Sequence, residues 1–421
     1  MKAAAAYERF ASWSSQRELE SMHDSIPIRS EALAEADDLS LFRGGLLYRV
    51  QVLLRLMTPD RWNFPGRIAL VLAVSWLPLV LLTISLHPEQ LKGLLTDYAI
   101  YSRIVVAIPV LLVAQFLMET RFGVLVTHLR RAELLDEAGQ AQLSGVITLL
   151  KRLRDSLLPE IIILALVVGE VALTGRDRVL TGAGWAALRN GTASHLTAAG
   201  WYYLVVSVPL YQFLLLLNGW KWLVWSFFLF RVSRMDLKLV ATHPDTRGGL
   251  GFLGLSPAAF APVAFVIAAV IGAAWRHKIV HSGAKLADFE LSAIILLLLI
   301  FLIELGPIGF FVPKLMMLRQ RAMLEYGVLG QMYASNFHTK WILFRKNRRE
   351  VEQEIPDVTT LANFAISFGN IKRMQPFPVE KGALIGLALA VVVPLLPVVL
   401  AEIPLSAIVK GLIETVRAVP I

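Results

Sequence analysis

One apolar segment, residues 291–312, constrains this chain more than any other, because it is long enough to cross a bilayer. It reads LSAIILLLLIFLIELGPIGFFV and carries a carboxylate, Glu304, near its middle. Gly306, Pro307 and Gly309 follow the carboxylate and weaken a helix at that point. A charge at this depth is costly unless it faces protein, water or a partner. The segment therefore predicts a membrane protein, with Glu304 as its first candidate functional residue.

Composition and the spacing of apolar stretches agree with a membrane protein. Hydrophobic residues make up 56% of the chain and the mean hydropathy is +0.61, too high for an ordinary soluble protein. The first 38 residues lack the apolar core and cleavage site of a secretory signal peptide. We predict an all-α polytopic membrane protein with seven transmembrane helices, at 67–86, 97–118, 160–177, 200–225, 257–275, 290–313 and 381–401.

Lysine and arginine are distributed unevenly between these stretches. The segment 87–101 has only Lys92, whereas 314–380 contains ten basic residues. Cytoplasmic loops are enriched in these residues, and an N-terminus inside the cell places about 30 of the 41 on the cytoplasmic side. We therefore predict a cytoplasmic N-terminus and an outer C-terminus, and the Ala-, Leu- and Arg-rich composition favours a bacterial inner (plasma) membrane. The net charge of +9 then reflects contact with anionic headgroups, and we expect no nucleic-acid partner.

The order of apolar and amphipathic stretches divides the chain into six parts, with the cytoplasmic helices expected to pack together as a bundle. Apolar residues at three- and four-residue steps between spans two and three predict a helical hairpin there, with its turn near Gly139. The parts are N-terminal juxtamembrane helices (1–66), transmembrane helices 1–2 (67–118), the cytoplasmic hairpin (119–158), transmembrane helices 3–6 (159–313), a cytoplasmic helical segment (314–380), and transmembrane helix 7 with an outer tail (381–421).

The densest local motif is the Gly-rich loop, residues 242–257, between the fourth and fifth spans. His243, Asp245 and Arg247 stand beside its four glycines, Gly248, Gly249, Gly251 and Gly254. Such a loop could bind an anion through backbone amides with help from Arg247, or act as a gate. The alternative is a tightly packed turn capped by His243 and Asp245. The GxGxxG match is not a dinucleotide fingerprint, because a transmembrane helix precedes it instead of a strand.

The segment 243–253, HPDTRGGLGFL, resembles a stretch of uncharacterised bacterial multi-pass membrane proteins that carry HPDxxGGLGFL. The resemblance covers these residues alone. It implies a bacterial multi-pass protein and brings no known activity, so the function has to be argued from individual residues.

Two carboxylates within the spans are candidates for ion or proton coupling or for lining a pore, Glu304 and Glu170. Buried amides bridge transmembrane helices, so Gln115, Gln212 and Asn218 are possible partners for Glu304. Gly306 and Pro307 are the candidate hinge, because there the kink and the charge coincide.

These observations favour an ion channel or ion-coupled transporter that binds an inorganic ion or small solute. A membrane sensor or scaffold acting through its cytoplasmic helices is the alternative, and a lipid-headgroup-modifying enzyme the second. Enzyme motifs are scarce, the chain has no cysteine, and the outer pair His277 and His281 has a spacing common by chance, so we expect no metal and no cofactor. Gly382 and Gly386 permit close helix packing across subunits, and we expect a homo-oligomer.

Overall fold

The computed structural model describes residues 64–190, 193–339 and 355–402, with residues 44, 49, 53, 57, 58, 61, 62 and 342 besides. The predicted juxtamembrane helices of 1–66 and the outer tail of 405–421 lie almost wholly outside the described residues.

The described chain is almost entirely helical, as predicted, and seven of its helical stretches are long and apolar enough to cross a membrane. These seven suggest a multi-pass membrane protein, and each overlaps one predicted span. They are span 1, Pro65–Leu86; span 2, Tyr98–Arg131; span 3, Leu158–Leu180; span 4, Ala198–Ser233; span 5, Gly251–Ser282; span 6, Leu286–His338; and span 7, Lys381–Val399.

Spans 2, 3 and 4 each contain a π-helical turn, span 5 begins with a 3₁₀ turn, and span 6 contains two 3₁₀ turns. The α-helices are α1 Phe64–Leu86, α2 Leu91–Thr96, α3 Tyr98–Ile100, α4 Ile108–Arg131, α5 Glu137–Asp155, α6 Leu158–Glu170, α7 Arg176–Gly182, α8 Ala198–Tyr202, α9 Val208–Ser233, α10 Pro257–Ser282, α11 Glu290–Leu305, α12 Val312–His338, α13 Ile355–Arg373 and α14 Lys381–Val399. The π-turns are Tyr101–Ala107, Val171–Gly175 and Tyr203–Ser207, and the 3₁₀ turns Pro88–Gln90, Gly184–Ala186, Gly251–Leu255, Leu286–Phe289 and Gly306–Phe311. Two antiparallel hairpins pair β1 Met57–Thr58 with β2 Arg61–Trp62, and β3 Ala187–Asn190 with β4 Ala193–Leu196.

The connections between spans gather at two ends of the helix bundle. At the hairpin end, named for β3–β4, the indole of Trp185 donates to Asp97, and Arg276 covers the ring of Tyr98. At the loop end, the backbone N–H of Lys238 donates to the carbonyl of Leu134 at 2.8 Å. The Gly-rich loop lies at the loop end, between spans 4 and 5.

Several helices continue beyond the length that a bilayer requires. Span 6 runs from Leu286 to His338, 53 residues, whereas about 20 suffice to cross a bilayer. The predicted hairpin after span 2 is formed by the end of α4 and by α5, but its turn is not at Gly139. The turn occupies 132–136, and Gly139 belongs to the first turn of α5, where its N–H donates to the Asp136 side chain at 2.7 Å. An Asp side chain caps a helix N-terminus well, which explains the shifted boundary.

Aromatic stacking and small residues hold the spans together. The rings of Phe122 in span 2 and Trp225 in span 4 stack with centroids 3.9 Å apart, in the centre of the largest buried cluster. Span 7 packs on span 5 along Ala264, Ala268 and Gly272, where a Cβ on Gly272 would lie 3.0 Å from Leu395. Small residues at four-residue steps let two backbones approach closely. The predicted small pair on span 7, Gly382 and Gly386, is instead exposed, so its part in an oligomer stays a prediction.

Candidate functional site

Glu304 lies on the inner face of α11, one helical turn beyond two buried apolar residues. Leu296, Ile300 and Glu304 follow at four-residue steps, and none is more than 9% exposed. The first two belong to a buried cluster with Ala264 of span 5 and Leu387 of span 7. The Oε2 atom of Glu304 is buried without a hydrogen-bond partner among the described residues. The predicted intramembrane carboxylate is therefore enclosed by its own chain.

A change of helix type follows Glu304 directly. The α-helix α11 ends at Leu305, a 3₁₀ turn covers Gly306–Phe311, and α12 begins at Val312. Proline at 307 removes one backbone donor, which accounts for the local change. The candidate hinge residues Gly306 and Pro307 therefore lie where hydrogen bonding departs from the α-helical pattern, while the helical stretch itself continues.

Two of the three amides proposed as partners of Glu304 donate hydrogen bonds elsewhere. The Nε2 atom of Gln212 donates to Glu170 at 2.9 Å, and the Nδ2 atom of Asn218 donates to the carbonyl of Leu214 at 2.8 Å. The Nε2 atom of Gln115 is buried and has no hydrogen-bond partner among the described residues. The interpretation of these amides as partners of Glu304 gains no support from the side chains that the structure describes.

Glu170, the second predicted carboxylate, is surrounded by polar partners at the end of α6. It accepts hydrogen bonds from Gln212 at 2.9 Å and from Thr174 at 3.1 Å, and it forms an ion pair with Arg178. Its side chain is 31% exposed. A carboxylate with donors on each oxygen and an adjacent guanidinium is electrostatically satisfied. The structure thus separates the two candidates: Glu170 is paired, whereas Oε2 of Glu304 is not.

The backbone amides of the Gly-rich loop surround a side chain of the loop itself. The carboxylate of Asp245 accepts from the N–H groups of Arg247 at 2.7 Å, Gly251 at 2.8 Å and Gly249 at 3.1 Å. Nδ1 of His243 lies 2.8 Å from Oδ1 of Asp245. The backbone takes positive φ at Gly248 and Gly249, +67° and +94°, which glycine adopts without strain. These amides therefore already hold an anion, which is the Asp245 carboxylate.

The electrostatics of Asp245 follow from these contacts. Burial alone would raise the pKa of the Asp245 carboxyl, since it disfavours the charged form. Hydrogen bonds from the backbone of Arg247, Gly251 and Gly249, and from His243, outweigh burial and lower the pKa below its usual value. The carboxylate is therefore held ionised as an internal part of the loop.

The Gly-rich loop is joined to the segment that leads into span 7. The guanidinium of Arg247 donates to Gln375 at 3.3 Å and to the carbonyl of Val379 at 3.2 Å. The N–H of Gln375 donates to the carbonyl of Thr246 at 2.8 Å. A Cβ on Gly254 would lie 2.6 Å from the carbonyl oxygen of Pro378. His243, Asp245 and Arg247 thus lie together, in contacts that fit a packed turn.

The structure also brings together four charges that the sequence did not connect. Lys221 of span 4 interacts electrostatically with Glu119 of span 2, Arg67 of span 1 and Glu160 of span 3. Arg67, Glu119 and Glu160 are each at most 7% exposed. Attraction between the two cations and the two anions offsets part of the free-energy cost of removing these charges from water. Each is an isolated charge in or next to an apolar stretch, and this feature of the sequence marks them as residues of interest. Their proximity depends on how four helices pack, which the sequence does not show.

Neither a metal-binding group among the described side chains nor a known relative assigns a function to this chain. Across the described residues, no three His, Cys, Asp or Glu side chains are grouped so that they could hold a metal ion. No protein-family model, no curated protein and no solved structure matches this chain. The function therefore has to be argued from the geometry of the site residues.

Proposed function

We propose that this protein is an ion-coupled transporter in which Glu304 is the coupling carboxylate. The observation that carries the proposal is the burial of Glu304 inside the bundle, with Oε2 lacking a partner among the described residues, beside the 3₁₀ turn Gly306–Phe311. Intramembrane carboxylates in such surroundings are characteristic of proton and cation pathways.

Proton or cation binding at this carboxylate would couple to conformation through desolvation. An ionised carboxylate without a partner is costly in an apolar environment, so binding a proton or a cation stabilises the buried arrangement. Release requires the carboxylate to meet water. A local departure from α-helical hydrogen bonding next to the charge is a suitable hinge for that change, since interrupted helices form ion sites in transporters.

The position of Glu304 favours a transporter over a channel. A cation-selective pore formed by several subunits needs its carboxylates on a surface shared between copies. Glu304 is 9% exposed in a single chain, on the face whose preceding turns pack against spans 5 and 7. The carboxylate is thus enclosed within one subunit, and the proposed mechanism does not depend on the predicted homo-oligomer.

The proposed orientation rests on the basic residues. The positive-inside rule places the loop end in the cytoplasm and the hairpin end outside, in the inner membrane of a bacterial cell. In this orientation Glu304 lies fourteen residues, about 21 Å of helix, inward from Glu290 at the start of α11.

Ion flux in proteoliposomes tests the proposal. Purified protein is reconstituted, a proton, sodium or potassium gradient is imposed, and flux is followed with a pH-sensitive dye and ion-selective probes. We expect wild-type flux to fall at least tenfold in Glu304→Gln, which removes the charge and keeps the shape. The matched control is Glu290→Gln, an exposed carboxylate in the first turn of the same helix, which we expect to leave flux unchanged.

The outcomes separate the functional classes. Equal flux in wild type and Glu304→Gln contradicts a coupling role for this carboxylate. Absence of flux from well-folded protein for all three ions contradicts transport of those ions and favours the sensor or scaffold. Stepwise single-molecule currents in planar bilayers would show a channel in place of a transporter.

A further inference from the structure

A cavity of about 570 Å³ lies at the hairpin end, and Glu304 does not line it. Its wall combines the start of span 2 at Tyr98, the connection between spans 3 and 4 at Trp185, and the end of span 5 at Arg276, His277 and His281. A volume of several hundred Å³ is typical of sites for small molecules. His281 is exposed at the rim, which gives the cavity access from outside the bundle.

Arg276 brings a cation to this wall without a matching acceptor. Its guanidinium carbon lies 3.4 Å from the centroid of the Tyr98 ring, a close cation–π contact. Its Nε and Nη1 atoms are buried and have no hydrogen-bond partner among the described residues. A guanidinium carries five N–H donors, and leaving buried donors unsatisfied is costly. Arg276 is half-buried and lines the cavity, so its guanidinium brings a positive charge to the wall where a ligand can meet it.

The carboxylate that also lines this cavity is already engaged. Asp97 accepts from the backbone N–H of Ala99 at 2.8 Å through Oδ1 and from the indole of Trp185 at 2.9 Å through Oδ2. These bonds fix Asp97 and Trp185 as parts of the wall. The imidazoles of His277 and His281 stack with centroids 4.4 Å apart, and Nδ1 of His281 lies 3.2 Å from the carbonyl oxygen of His277. The polar part of the wall thus favours a negatively charged ligand.

We propose that this cavity binds a small organic anion whose carboxylate or phosphate group pairs with Arg276 and whose apolar part contacts Tyr98 and Trp185. Arginine binds planar oxyanions through two parallel hydrogen bonds, and aromatic walls accept a flat apolar body. The site goes beyond the proposed ion coupling and does not depend on it, because its residues are separate from Glu304.

Isothermal titration calorimetry of the full chain in detergent tests this site, with benzoate and phenyl phosphate as probes. Benzamide serves as the uncharged analogue of benzoate. We expect wild type to bind at least one of the two anions saturably. If benzoate binds, benzamide should bind at least tenfold more weakly. Arg276→Gln should bind the anion at least tenfold more weakly than wild type. Lys278→Gln is the matched control: it removes one positive charge two residues away, at an exposed position outside the cavity wall, and is expected to bind as wild type does.

A second variant tests the same cavity if Arg276→Gln does not fold. Gly184 lines the cavity, and a Cβ there would meet no atom within 4 Å, so Gly184→Phe adds bulk at the wall without a clash at Cβ. We expect Gly184→Phe to weaken anion binding at least tenfold. It is the deciding variant if circular dichroism shows that Arg276→Gln is unfolded. The proposal is overturned if folded wild type binds neither anion saturably, if benzamide binds as tightly as benzoate, or if the deciding variant binds as wild type does.

Discussion

The Gly-rich loop and the hairpin-end cavity both combine glycines, histidine and a charged side chain, yet they use their polar groups in opposite ways. Asp245 accepts hydrogen bonds from three backbone N–H groups and contacts His243. Arg276 contacts the Tyr98 ring, and its buried Nε and Nη1 have no described acceptor. The difference teaches that a polar motif indicates a binding site only where its hydrogen-bonding capacity is left over after folding.

Glycine shows the same contrast at the two places. Gly254 in the loop is needed for close approach, because a Cβ would lie 2.6 Å from the carbonyl oxygen of Pro378 and 3.2 Å from Cα of Val379. Gly184 at the cavity borders open space. The loop is therefore packed against its neighbours, whereas the cavity wall has room for a ligand.

The largest expected effect comes from removing the internal anion of the loop. Asp245→Asn replaces charge-assisted hydrogen bonds to backbone N–H groups with weaker ones and turns an amide donor toward other donors. Hydrogen bonds to charged groups contribute about 1.5 to 3 kcal/mol each, so we expect the free energy of unfolding to fall by about 2 to 4 kcal/mol. Thermal unfolding in detergent, read as a decrease in Tm, measures it.

Asp288→Asn is the control for this comparison. Asp288 is exposed at the hairpin end and accepts one backbone N–H, from Lys285 at 2.8 Å. We expect its loss to cost less than about 1 kcal/mol. Equal decreases in Tm for the two variants would show that the carboxylate of Asp245 stabilises the fold no more than that of Asp288. That result would contradict the comparison between loop and cavity.

A somewhat smaller effect is expected from adding one methyl group to each region. Gly254→Ala forces a Cβ against backbone atoms of 378–379, which cannot move aside as a flexible side chain can. Overpacking of this kind costs about 1 to 3 kcal/mol. Gly184→Ala should change stability by less than about 0.5 kcal/mol, as at an open surface site. Paired Tm measurements check both, and a Gly184→Ala variant as unstable as Gly254→Ala would contradict the open wall.

The smallest effect is a dependence on pH. The pKa of Asp245 is lower in the folded protein, so its stabilisation is complete above the unfolded value of about 3.9 and is lost as the pH falls through the folded pKa. We expect the Tm difference between wild type and Asp245→Asn to shrink as the pH falls below about 4. A difference that grows as the pH falls from about 4 to 2 would contradict this sign.

Glu170 and Glu304 show how far a sequence can take the search for functional carboxylates. Both stand out as charges within apolar stretches, and the sequence ranks them by depth alone. The structure distinguishes them by their partners, since Arg178 and Gln212 contact Glu170. Arg178 is eight residues further along the same span, a spacing that leaves contact undetermined, and Gln212 comes from another span.

The predicted spans agree with the structure because crossing a bilayer is a local property. Length and hydropathy of one contiguous stretch decide it, and a lipid environment leaves little alternative to a helix. Boundaries were less accurate: the turn predicted at Gly139 lies at 132–136, where capping by Asp136 sets the start of α5. Caps depend on the geometry of single side chains, which hydropathy does not contain.

The sequence by itself determined the helical class, the seven apolar stretches and the residues that merit attention, because composition and periodicity are carried by the chain. Tertiary structure alone decided which polar groups are satisfied. Asp97 contacts Trp185, Arg276 contacts Tyr98, and Lys221 interacts electrostatically with Glu119 across long stretches of chain. Such pairs form where helices pack, and the free energy of a buried charge depends on the atoms around it in space and not on its neighbours in sequence.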